Sequence, residues 1–591
     1  MTDLLNKLRS RLLAPNSSFE LFLRTLYHRL AATRLFFMWQ DCLVKRSYRK
    51  FSANQASQNN AHINTFAQQP KVSFILPWSG TSPSQALSTL QSIQCLQDEN
   101  WDVILIVPHS IANNELAAIK DDRILSVQQD ADTILASVTG EYLIFCAPGD
   151  QFSTTLLTHF YETLVATPHA DLFYYDCEYH DKQTGKIQPF FKPAALSPAL
   201  LLSVNYLSRG FIRCESLHQV WSDKAAHADL LTLEYDIMLR LCETAKKFVH
   251  MPTPLNRQIG LVTPDHLQMR NVVEAHLARQ GLTNVSSSQH NIGLRFSWYA
   301  NSPSLAIIIP TKNNHPFLKP LIYDLLNHPG DTELTITIVD NGSSDPGTLA
   351  YYENLRKEKQ IIIIPYPKPF NYSEAINLGV AESQSDLILL MNDDMAVKDE
   401  QWLSEMTQWA IRPEIGVVGA KLLRQNKTIQ HAGIILGLTG FMGHIYLNAP
   451  EHYHGMLGSV DWYRNYFALT GACQMMRREV FNEVDGYDEG YRIAFGDVDF
   501  CVRVHAKGYQ NVYTPFAQLY HFEGSTRGYQ TPVDDVLRGY EQMEPYLVDE
   551  DPYFSLNLTY NCIPKCVSKQ RSQEERLAQI TTRKSFYLKN Q

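Results

Sequence analysis

The stretch LILLMNDDMAV at residues 387–397 joins five consecutive apolar residues to two adjacent carboxylates. A short apolar run bounded by polar residues is typical of a strand buried on both faces of a parallel sheet. In open α/β sheets, ligands bind beyond the carboxyl ends of the strands, where Asp393 and Asp394 would lie. Two acids at such an edge form either an acidic turn or part of a metal site, and the stretch alone leaves both open.

Similar apolar runs flank this stretch in the second half of the chain: LAIIIP, LTITIVD, QIIIIP and IGVVGAKLL, within residues 305–423. Amphipathic helical stretches such as FLKPLIYDLLNH and YSEAINLGVAES lie between them. Alternating strands and helices predict an α/β domain with a mostly parallel sheet. Asp340, which ends LTITIVD, would lie at the same edge, either in the turn NGSSD or as an acceptor of hydrogen bonds from a nucleotide base or ribose.

The first half of the chain repeats three of these patterns in the same order. The pairs are KVSFILP (71–77) with LAIIIP (305–310), GEYLIFCAPGDQF (140–152) with SDLILLMNDDMAV (385–397), and EYDIMLRL (234–241) with DVDFCVRV (497–504). Ordered self-similarity of this kind indicates a duplication. We therefore predict two domains of one fold, over residues 71–298 and 303–530, followed by a tail over 531–591.

Composition limits the class of protein and its compartment. A formal net charge of −9 over 591 residues argues against nucleic acid as the main partner. The ten cysteines show no disulfide or zinc spacing, and Cys562 and Cys566 are interpreted as ordinary thiols, as in a reduced, cytoplasmic protein. No window approaches the ~18 apolar residues of a membrane span, and the first residues lack the pattern of a secretory signal.

The first fifty residues are basic and rich in aromatic residues. Within residues 1–50, the stretch FELFLRTLYHRLAATRLFFMWQ alternates apolar clusters with arginines at near-helical spacing. Such a helix either lies on an anionic membrane surface, on the inner face of the cytoplasmic membrane, or packs on its own protein, and both interpretations stay open. Residues 51–70 are polar and are predicted to form a linker.

A third chemical element is the stretch FGDVDFCVRVHAKG at residues 495–508. Its apolar spacing predicts a short buried helix that ends near Gly508. Asp497 would lie in or just before the first turn, either as a simple N-cap or as a general base for a hydroxyl group. Asp499 and Arg503 form a plain i,i+4 pair. His521 is either a metal ligand or a structural hydrogen-bonding residue.

Seven motifs in order resemble the inverting, GT-A-type glycosyltransferases of family 2 that build bacterial surface polysaccharides. They are IIIPTKNN, IVDNGSSD, FNYSEAINLGV, LLMNDDM, TGACQMMRREVFNEVDGYDE, AFGDVDFCVRV and LYHFEGSTRG, within residues 305–528. The resemblance implies two tandem GT-A-like domains and metal-dependent transfer from a nucleotide sugar, UDP- or dTDP-linked, to a glycan or lipid-linked glycan. The products would be O-antigen, capsule or similar glycans.

The resemblance also implies roles for single residues. Asp497 would be the catalytic base, and Asp394 and His521 would hold Mg²⁺ or Mn²⁺. The implied donor-binding residues are Pro310, Thr311, Asp340, Asn377, Asn392, Asp393, Gly471 and Ala472. The chain departs from the family pattern at Asn392, which replaces the first acid of the metal motif, and at Gly496, where many relatives have Glu.

The first half lacks most of these residues. Ala147 and Gly149 occupy the acid positions of its metal motif, which leaves only Asp150, while Glu234 and Asp236 persist in EYDIMLRL. We predict a degenerate, catalytically silent domain that binds acceptor or supports the second half. The alternative function for the whole chain is a non-catalytic glycan-binding or scaffold protein. A sugar-phosphate nucleotidyltransferase fits less well, because PTKNNHP is not a glycine-rich loop.

Overall fold

The structure is a computed structural model in which two mixed sheets dominate. It describes residues 26, 30, 33–58, 69–78, 83–107, 121–128, 131–181, 185–221, 229–244, 247–522, 531–567 and 570–589. Across these ranges, no helix combines the length and apolar character needed to cross a bilayer.

The first sheet lies within residues 72–258. The strands of this half are β1 (Val72–Pro77), β2 (Trp101–Val107), β3 (Ile124–Gln128), β4 (Tyr142–Phe145), β5 (Gln151–Phe152), β6 (Leu172–His180), β7 (Ile187–Phe190), β8 (Phe211–Arg213), β9 (Phe248–Gln258), β10 (Ser286–His290) and β11 (Gly293–Ser297). Their order is β3-β2-β1-β4-β8-β6-β9-β5, with β7 paired to β6 and with β10 and β11 as a separate hairpin.

The second sheet lies within residues 304–521. Its half of the chain contains β12 (Ser304–Thr311), β13 (Glu333–Asp340), β14 (Ile361–Pro365), β15 (Leu387–Met391), β16 (Met395–Val397), β17 (Ile415–Leu423), β18 (Ile429–His431), β19 (Ile434–Leu436), β20 (Met442–His444), β21 (His454–Gly455), β22 (Gly458–Ser459), β23 (Arg464–Asn465), β24 (Cys473–Arg477) and β25 (Gln510–His521). Strands β15 and β17 are buried along their whole length, as the apolar runs predicted.

The two sheets follow the same path. The order of the second sheet is β14-β13-β12-β15-β24-β17-β25-β16, which matches the first strand by strand. In each sheet one antiparallel strand, β8 or β24, separates the parallel group of the amino-terminal part from the later parallel pair. This correspondence confirms the prediction of two tandem α/β domains with mostly parallel sheets.

Helices connect and cover the strands. They are α1 (Arg34–Gln58), α2 (Pro83–Gln94), α3 (Ala131–Ser137), α4 (Leu156–Ala166), α5 (Pro198–Leu201), α6 (Cys214–Val220), α7 (Leu230–Glu243), α8 (Leu267–Arg279), α9 (His315–Asn327), α10 (Pro346–Leu355), α11 (Tyr372–Ala381), α12 (Trp402–Ala410), α13 (Arg478–Glu483), α14 (Gly496–Ala506), α15 (Val533–Asp549) and α16 (Gln573–Leu588), with a 3₁₀ turn at Leu438–Gly440. Capping side chains start several of them: Asn371, for example, accepts a hydrogen bond from the Glu374 N–H at 3.1 Å and begins α11.

The predicted linker over residues 51–70 is wrong in its first part, because helix α1 continues to Gln58. Phe51 is buried and its ring lies 5.7 Å from that of Phe191, so packing against the first domain stabilises this part of the helix. Ala and Gln in the same segment are good helix formers. Residues 59–68 of the predicted linker and residues 1–25 of the basic segment lie outside the described residues.

Direct contacts join the two halves and the tail. Asn465 Oδ1 accepts hydrogen bonds from Ser197 Oγ and from the Ala199 N–H, both at 3.0 Å. In the tail, Asn557 Nδ2 donates to Asp176 Oδ2 of the first domain at 3.1 Å. Polar contacts therefore join the first domain both to the second half of the chain and to the tail.

Candidate active site

The predicted base, Asp497, lies in the first turn of helix α14, as the sequence indicated. Its Oδ2 accepts a hydrogen bond from the Gly471 N–H at 2.8 Å, and its Oδ1 accepts one from the Val498 N–H at 2.9 Å. A simple N-cap would instead accept from an N–H two or three positions along its own helix. The Gly471 N–H therefore holds the Asp497 carboxylate from a neighbouring loop. Because Asp497 is only half-buried, its carboxylate is still accessible to a hydroxyl group.

The loop at residues 470–472 fits closely around this carboxylate. A Cβ atom at Gly471 would lie 3.1 Å from the Asp497 Cβ and 3.2 Å from the Tyr487 hydroxyl, so only glycine fits without displacement. The Gly471 carbonyl accepts a hydrogen bond from the Tyr372 hydroxyl at 3.0 Å. The Ala472 carbonyl accepts one from the Asn392 N–H at 3.0 Å, which connects the loop to the end of strand β15.

Asp394 and His521 meet at that strand end. Strands β16 and β25 pair there, and the Asp394 Oδ1 lies 3.2 Å from the His521 Nε2. The Asn392 Nδ2 lies 3.2 Å from the same ring nitrogen. Asp394 and His521 are only 5% and 6% exposed, so both predicted metal ligands point into a largely desolvated corner.

This set of donor atoms fits a divalent cation with open coordination positions. One carboxylate oxygen and one imidazole nitrogen converge, and hard cations such as Mg²⁺ complete their shell with water and phosphate oxygens. Within the described ranges, no group of three or more His, Cys, Asp or Glu side chains forms a closed metal cage. Asp394 and His521 are therefore the residues that could hold a cation here, with its other ligands supplied by water or a bound group.

Asp393 and Thr311, two of the predicted donor-binding residues, contact each other at the strand ends. Thr311 Oγ1 donates a hydrogen bond to Asp393 Oδ2 at 2.6 Å, across the ends of strands β12 and β15. Burial raises the pKa of Asp393 to about 6, because its charged form loses hydration. Pro310 and Thr311 pair with Val339 and Asp340 in the sheet, which brings three of the predicted donor-binding residues to one edge.

Asp340 is oriented by its own turn. Its carboxylate accepts hydrogen bonds from the Ser343 N–H, at 3.1 and 3.2 Å, and from the Tyr352 hydroxyl at 2.9 Å. A carboxylate has about four lone-pair positions, so it retains acceptor capacity for a ligand. The turn interpretation and the ligand interpretation are therefore compatible here.

Asn377, a predicted donor-binding residue, contacts the loop before α14. Its Nδ2 donates to the Tyr487 carbonyl at 2.8 Å and to Glu489 Oε1 at 3.0 Å, while its Oδ1 accepts from the Tyr487 N–H at 2.9 Å. These hydrogen bonds tie the amide to the loop before α14. Sequence reasoning missed Tyr487. Its hydroxyl lies next to Gly471 and donates a hydrogen bond to Gln474 Oε1.

The equivalent site of the first domain is occupied by an arginine. Arg209 precedes strand β8 by two residues, as Gly471 precedes β24, and its N–H donates to Glu234 Oε1 at 2.6 Å, as the Gly471 N–H donates to Asp497. Its guanidinium pairs with Asp150 at 2.6 Å and with Glu234 at 2.7 Å. All three side chains are buried.

Comparison with known proteins relates the chain to glycosyl transferases by sequence. The sequence model described as "Glycosyl transferase family 2" matches residues 306–485. Over 91% of its length the chain is 30% identical to the O-antigen biosynthesis protein RfbC of Myxococcus xanthus, and it spans only 44% of that protein. The chain is also similar to the N-acetylglucosaminyl-diphospho-decaprenol L-rhamnosyltransferase of Mycobacterium tuberculosis, with 23% identity. That alignment covers 42% of this chain and 84% of the rhamnosyltransferase.

Among solved structures, the chain is similar to GalNAc-T7 crystallised with UDP, GalNAc and Mn²⁺, with a TM-score of 0.35 and 12% identity over 43% of this chain and 49% of that one. Four of the seven motifs lie wholly inside the stretch that the family model matches, and a fifth, TGACQMMRREVFNEVDGYDE, begins inside it. The last two, AFGDVDFCVRV and LYHFEGSTRG, lie beyond residue 485. The chain therefore carries a glycosyl transferase family 2 domain and is related to proteins of bacterial polysaccharide biosynthesis, as its motifs predicted.

Proposed function

We propose that the chain is an inverting glycosyltransferase that moves one sugar from a nucleotide-diphosphate donor to a hydroxyl group of a growing surface glycan. One observation carries this proposal. A continuous run of contacts joins the base Asp497 to the acid Asp394 through the loop 470–472, Asn392 and His521. This arrangement supports the proposal, because it connects the acid proposed as proton acceptor to the residues proposed to hold a cation.

The reaction we propose is a single displacement. Asp497 takes the proton of the acceptor hydroxyl while the oxygen of that hydroxyl attacks the anomeric carbon of the donor sugar. The bond from that carbon to the diphosphate oxygen breaks on the opposite face, and the nucleoside diphosphate leaves with the electron pair. One inversion turns an α-linked donor into a β-linked product, or a β-linked donor into an α-linked one.

Other residues hold the donor in this proposal. Asp340 receives the base or ribose, and Asp393, oriented by Thr311, faces the ribose or a phosphate. Asp394 and His521 would hold Mg²⁺ or Mn²⁺, which supplies positive charge against the departing diphosphate. Asn392 replaces a carboxylate at this corner, so we expect a weaker metal affinity than with three acids.

We propose a UDP- or dTDP-linked sugar as donor and a glycan or lipid-linked glycan as acceptor, with the protein on the cytoplasmic side of the membrane. The curated relative from Mycobacterium tuberculosis, by its name, adds L-rhamnose to a lipid-linked diphospho-sugar. The sites of the donor sugar and acceptor would lie next to Gly471 and Ala472, because these residues separate Asp497 from the metal corner.

Nucleotide release tests the proposal. The purified chain is incubated with UDP-, GDP- and dTDP-sugars, a lipid-linked glycan acceptor and Mg²⁺ or Mn²⁺, beside Asp497→Asn and Asp394→Ala. We expect metal-dependent release with one donor, reduced about 10²–10⁴-fold in Asp497→Asn because the proton acceptor is lost. Asp331→Asn changes an exposed acid at the amino ends of the strands and serves as the matched control.

A second candidate, a non-catalytic glycan-binding or scaffold protein, is favoured by the first domain alone, where Arg209 pairs with Glu234, the counterpart of Asp497, and with Asp150. Calorimetry separates the two functions. If no nucleotide sugar binds in the presence of metal, and release is absent from wild type and variants alike, the transferase proposal is rejected and the scaffold is retained.

A further inference from the structure

Helix α1 has an inward face that fixes it to both domains. The Phe37 ring lies 5.3 Å from that of Tyr453 in the second domain, and the Phe51 ring lies 5.7 Å from that of Phe191 in the first. The Cys566 N–H of the tail donates to Ser47 Oγ at 3.0 Å. The helix is therefore part of the folded body, and its orientation relative to the active half is defined.

The outward face of the same helix is apolar at one end and basic at the other. Leu35, Met38 and Trp39 are 80%, 55% and 43% exposed. The basic residues Arg46, Arg49 and Lys50 are exposed about two to three turns beyond Trp39. At about 3.6 residues per turn, these positions fall on one side of the helix, opposite Phe37 and Phe51.

The charge of this helix contrasts with that of the chain. Residues 34–58 contain five basic residues and one acid, whereas the whole chain has a net charge of −9. Lys45 pairs with Asp41, but no ion pair involves Arg46, Arg49 or Lys50 in the part of the chain that the structure describes. Three basic side chains are thus available to an anionic surface.

We propose that this outward face docks on an anionic membrane surface. Leu35, Met38 and Trp39 would enter the interface between headgroups and acyl chains, and the three basic residues would contact lipid phosphates. An acidic protein would match the basic end only, whereas a lipid surface matches both ends. The purpose of this docking rests on the proposed function. If the chain is a glycosyltransferase, a docked helix would hold its second domain beside a lipid-linked acceptor.

Vesicle co-sedimentation tests the docking without donor or acceptor. The purified full chain is mixed with vesicles of phosphatidylcholine containing phosphatidylglycerol, and with vesicles of phosphatidylcholine alone. We expect binding to the anionic vesicles that weakens with salt. Leu35→Ser/Met38→Ser/Trp39→Ser and, separately, Arg46→Glu/Arg49→Glu/Lys50→Glu should each reduce the affinity by about tenfold or more.

Matched controls change equally exposed residues elsewhere. Val165→Ser/Tyr323→Ser and Arg356→Glu/Lys357→Glu/Lys359→Glu should bind as wild type does. The inference is overturned if the wild type binds neither vesicle, if it binds both equally, or if the helix variants bind like the controls. Nucleotide release with a soluble acceptor should be unchanged in the helix variants, so a loss of docking is distinguishable from a failure of the transferase proposal.

Discussion

Gly471 determines where the carboxylate of Asp497 points. Its N–H is the donor that holds Oδ2 at 2.8 Å, and its missing side chain leaves room for Asp497 and for the Tyr487 hydroxyl. A backbone donor is a rigid means of positioning, because it has no rotamers of its own. The precision of the base therefore depends on a residue without a side chain.

Gly471→Ala should impair catalysis more than stability. The added Cβ would lie 3.1 Å from the Asp497 Cβ, so the loop or the base must move by a few tenths of an ångström. Misplacement of a reacting group by about 1 Å can cost about 10²-fold in rate, and we expect kcat to fall by roughly 10–100-fold. Nucleotide release measures the rate, and thermal unfolding measures stability.

Gly443→Ala is the control, because a Cβ there would make only ordinary contacts, at 3.4 Å from the Leu438 side chain. A Gly471→Ala variant with wild-type kcat would show that the loop does not position the base. A Gly471→Ala variant whose melting temperature is far below that of the wild type would show that Gly471 has a structural role instead.

At the scale of secondary-structure elements, the loop before β8 and the first turns of α7 correspond in position to the candidate active site of the second domain. Arg209 connects them by pairing with Asp150 and Glu234, and all three charges are buried. Buried pairs of this kind cost a large desolvation energy, which is balanced only while every partner is present. These two ion pairs therefore stabilise the first domain only while Arg209, Asp150 and Glu234 are all present.

Arg209→Met should destabilise the protein by about 3–5 kcal/mol, because it leaves two buried carboxylates without a counter-charge. Denaturant unfolding measures the loss. The combined variant Arg209→Met/Asp150→Asn/Glu234→Gln removes all the charges and should recover part of it. Nucleotide release per folded molecule should stay at the wild-type level, and a marked change would place the first domain in the reaction.

The tail element carries a pH-dependent contact. Asp551 is fully buried, and its carboxylate accepts hydrogen bonds from the N–H groups of Leu436 and Tyr553, both at 2.9 Å. Burial raises the pKa of Asp551 to about 7, above the value of about 3.9 expected in the unfolded chain. The folded state then binds the proton more tightly, so this residue stabilises the fold fully below about pH 4 and loses that contribution as the pH rises to about 7.

Asp551→Asn should remove this part of the pH dependence. The melting temperature of wild type minus that of the variant should fall steadily between about pH 4 and pH 7 and level off above it. Thermal unfolding across that range provides the measurement. A difference that is constant with pH would contradict the raised pKa of Asp551.

At the scale of the whole molecule, the tail binds to the first domain as well as to the second. Asn557 donates to Asp176 and to the Pro252 carbonyl, although Asp176 lies 381 positions earlier in the chain. Asp176 is buried and also accepts from His250, so loss of one partner leaves part of its charge without compensation.

Asn557→Ala should therefore destabilise the whole chain by about 1–3 kcal/mol, because a buried acceptor loses its partner. Denaturant unfolding, followed with probes in each domain, measures the effect. Asn561→Ala is the control, since the Asn561 amide bonds only within its own turn, to Thr559. If only one domain were destabilised, the tail would not couple the two.

Much of this architecture could be predicted from the sequence, because apolar runs and their polar ends are local signals. The run LILLM and its acids indicated the strand end at which Asp394 lies, and the helical spacing after Phe495 placed Asp497 correctly. The contacts of Arg209 and Asn377 could not be predicted, because a side chain reaches its partner through the tertiary fold. Helix α1 extends into the polar segment after residue 50 because Phe51 is buried by a distant residue, Phe191.

The difference between glycine in one half and arginine in the other suggests a criterion for comparing the two halves of related tandem sequences. The residue two positions before the antiparallel strand is Gly471 in one half and Arg209 in the other, and the acid that it contacts is retained in both. In a newly sequenced tandem chain, glycine there would mark the half able to admit a substrate. Arginine would mark a half kept for its shape, even where its acids survive.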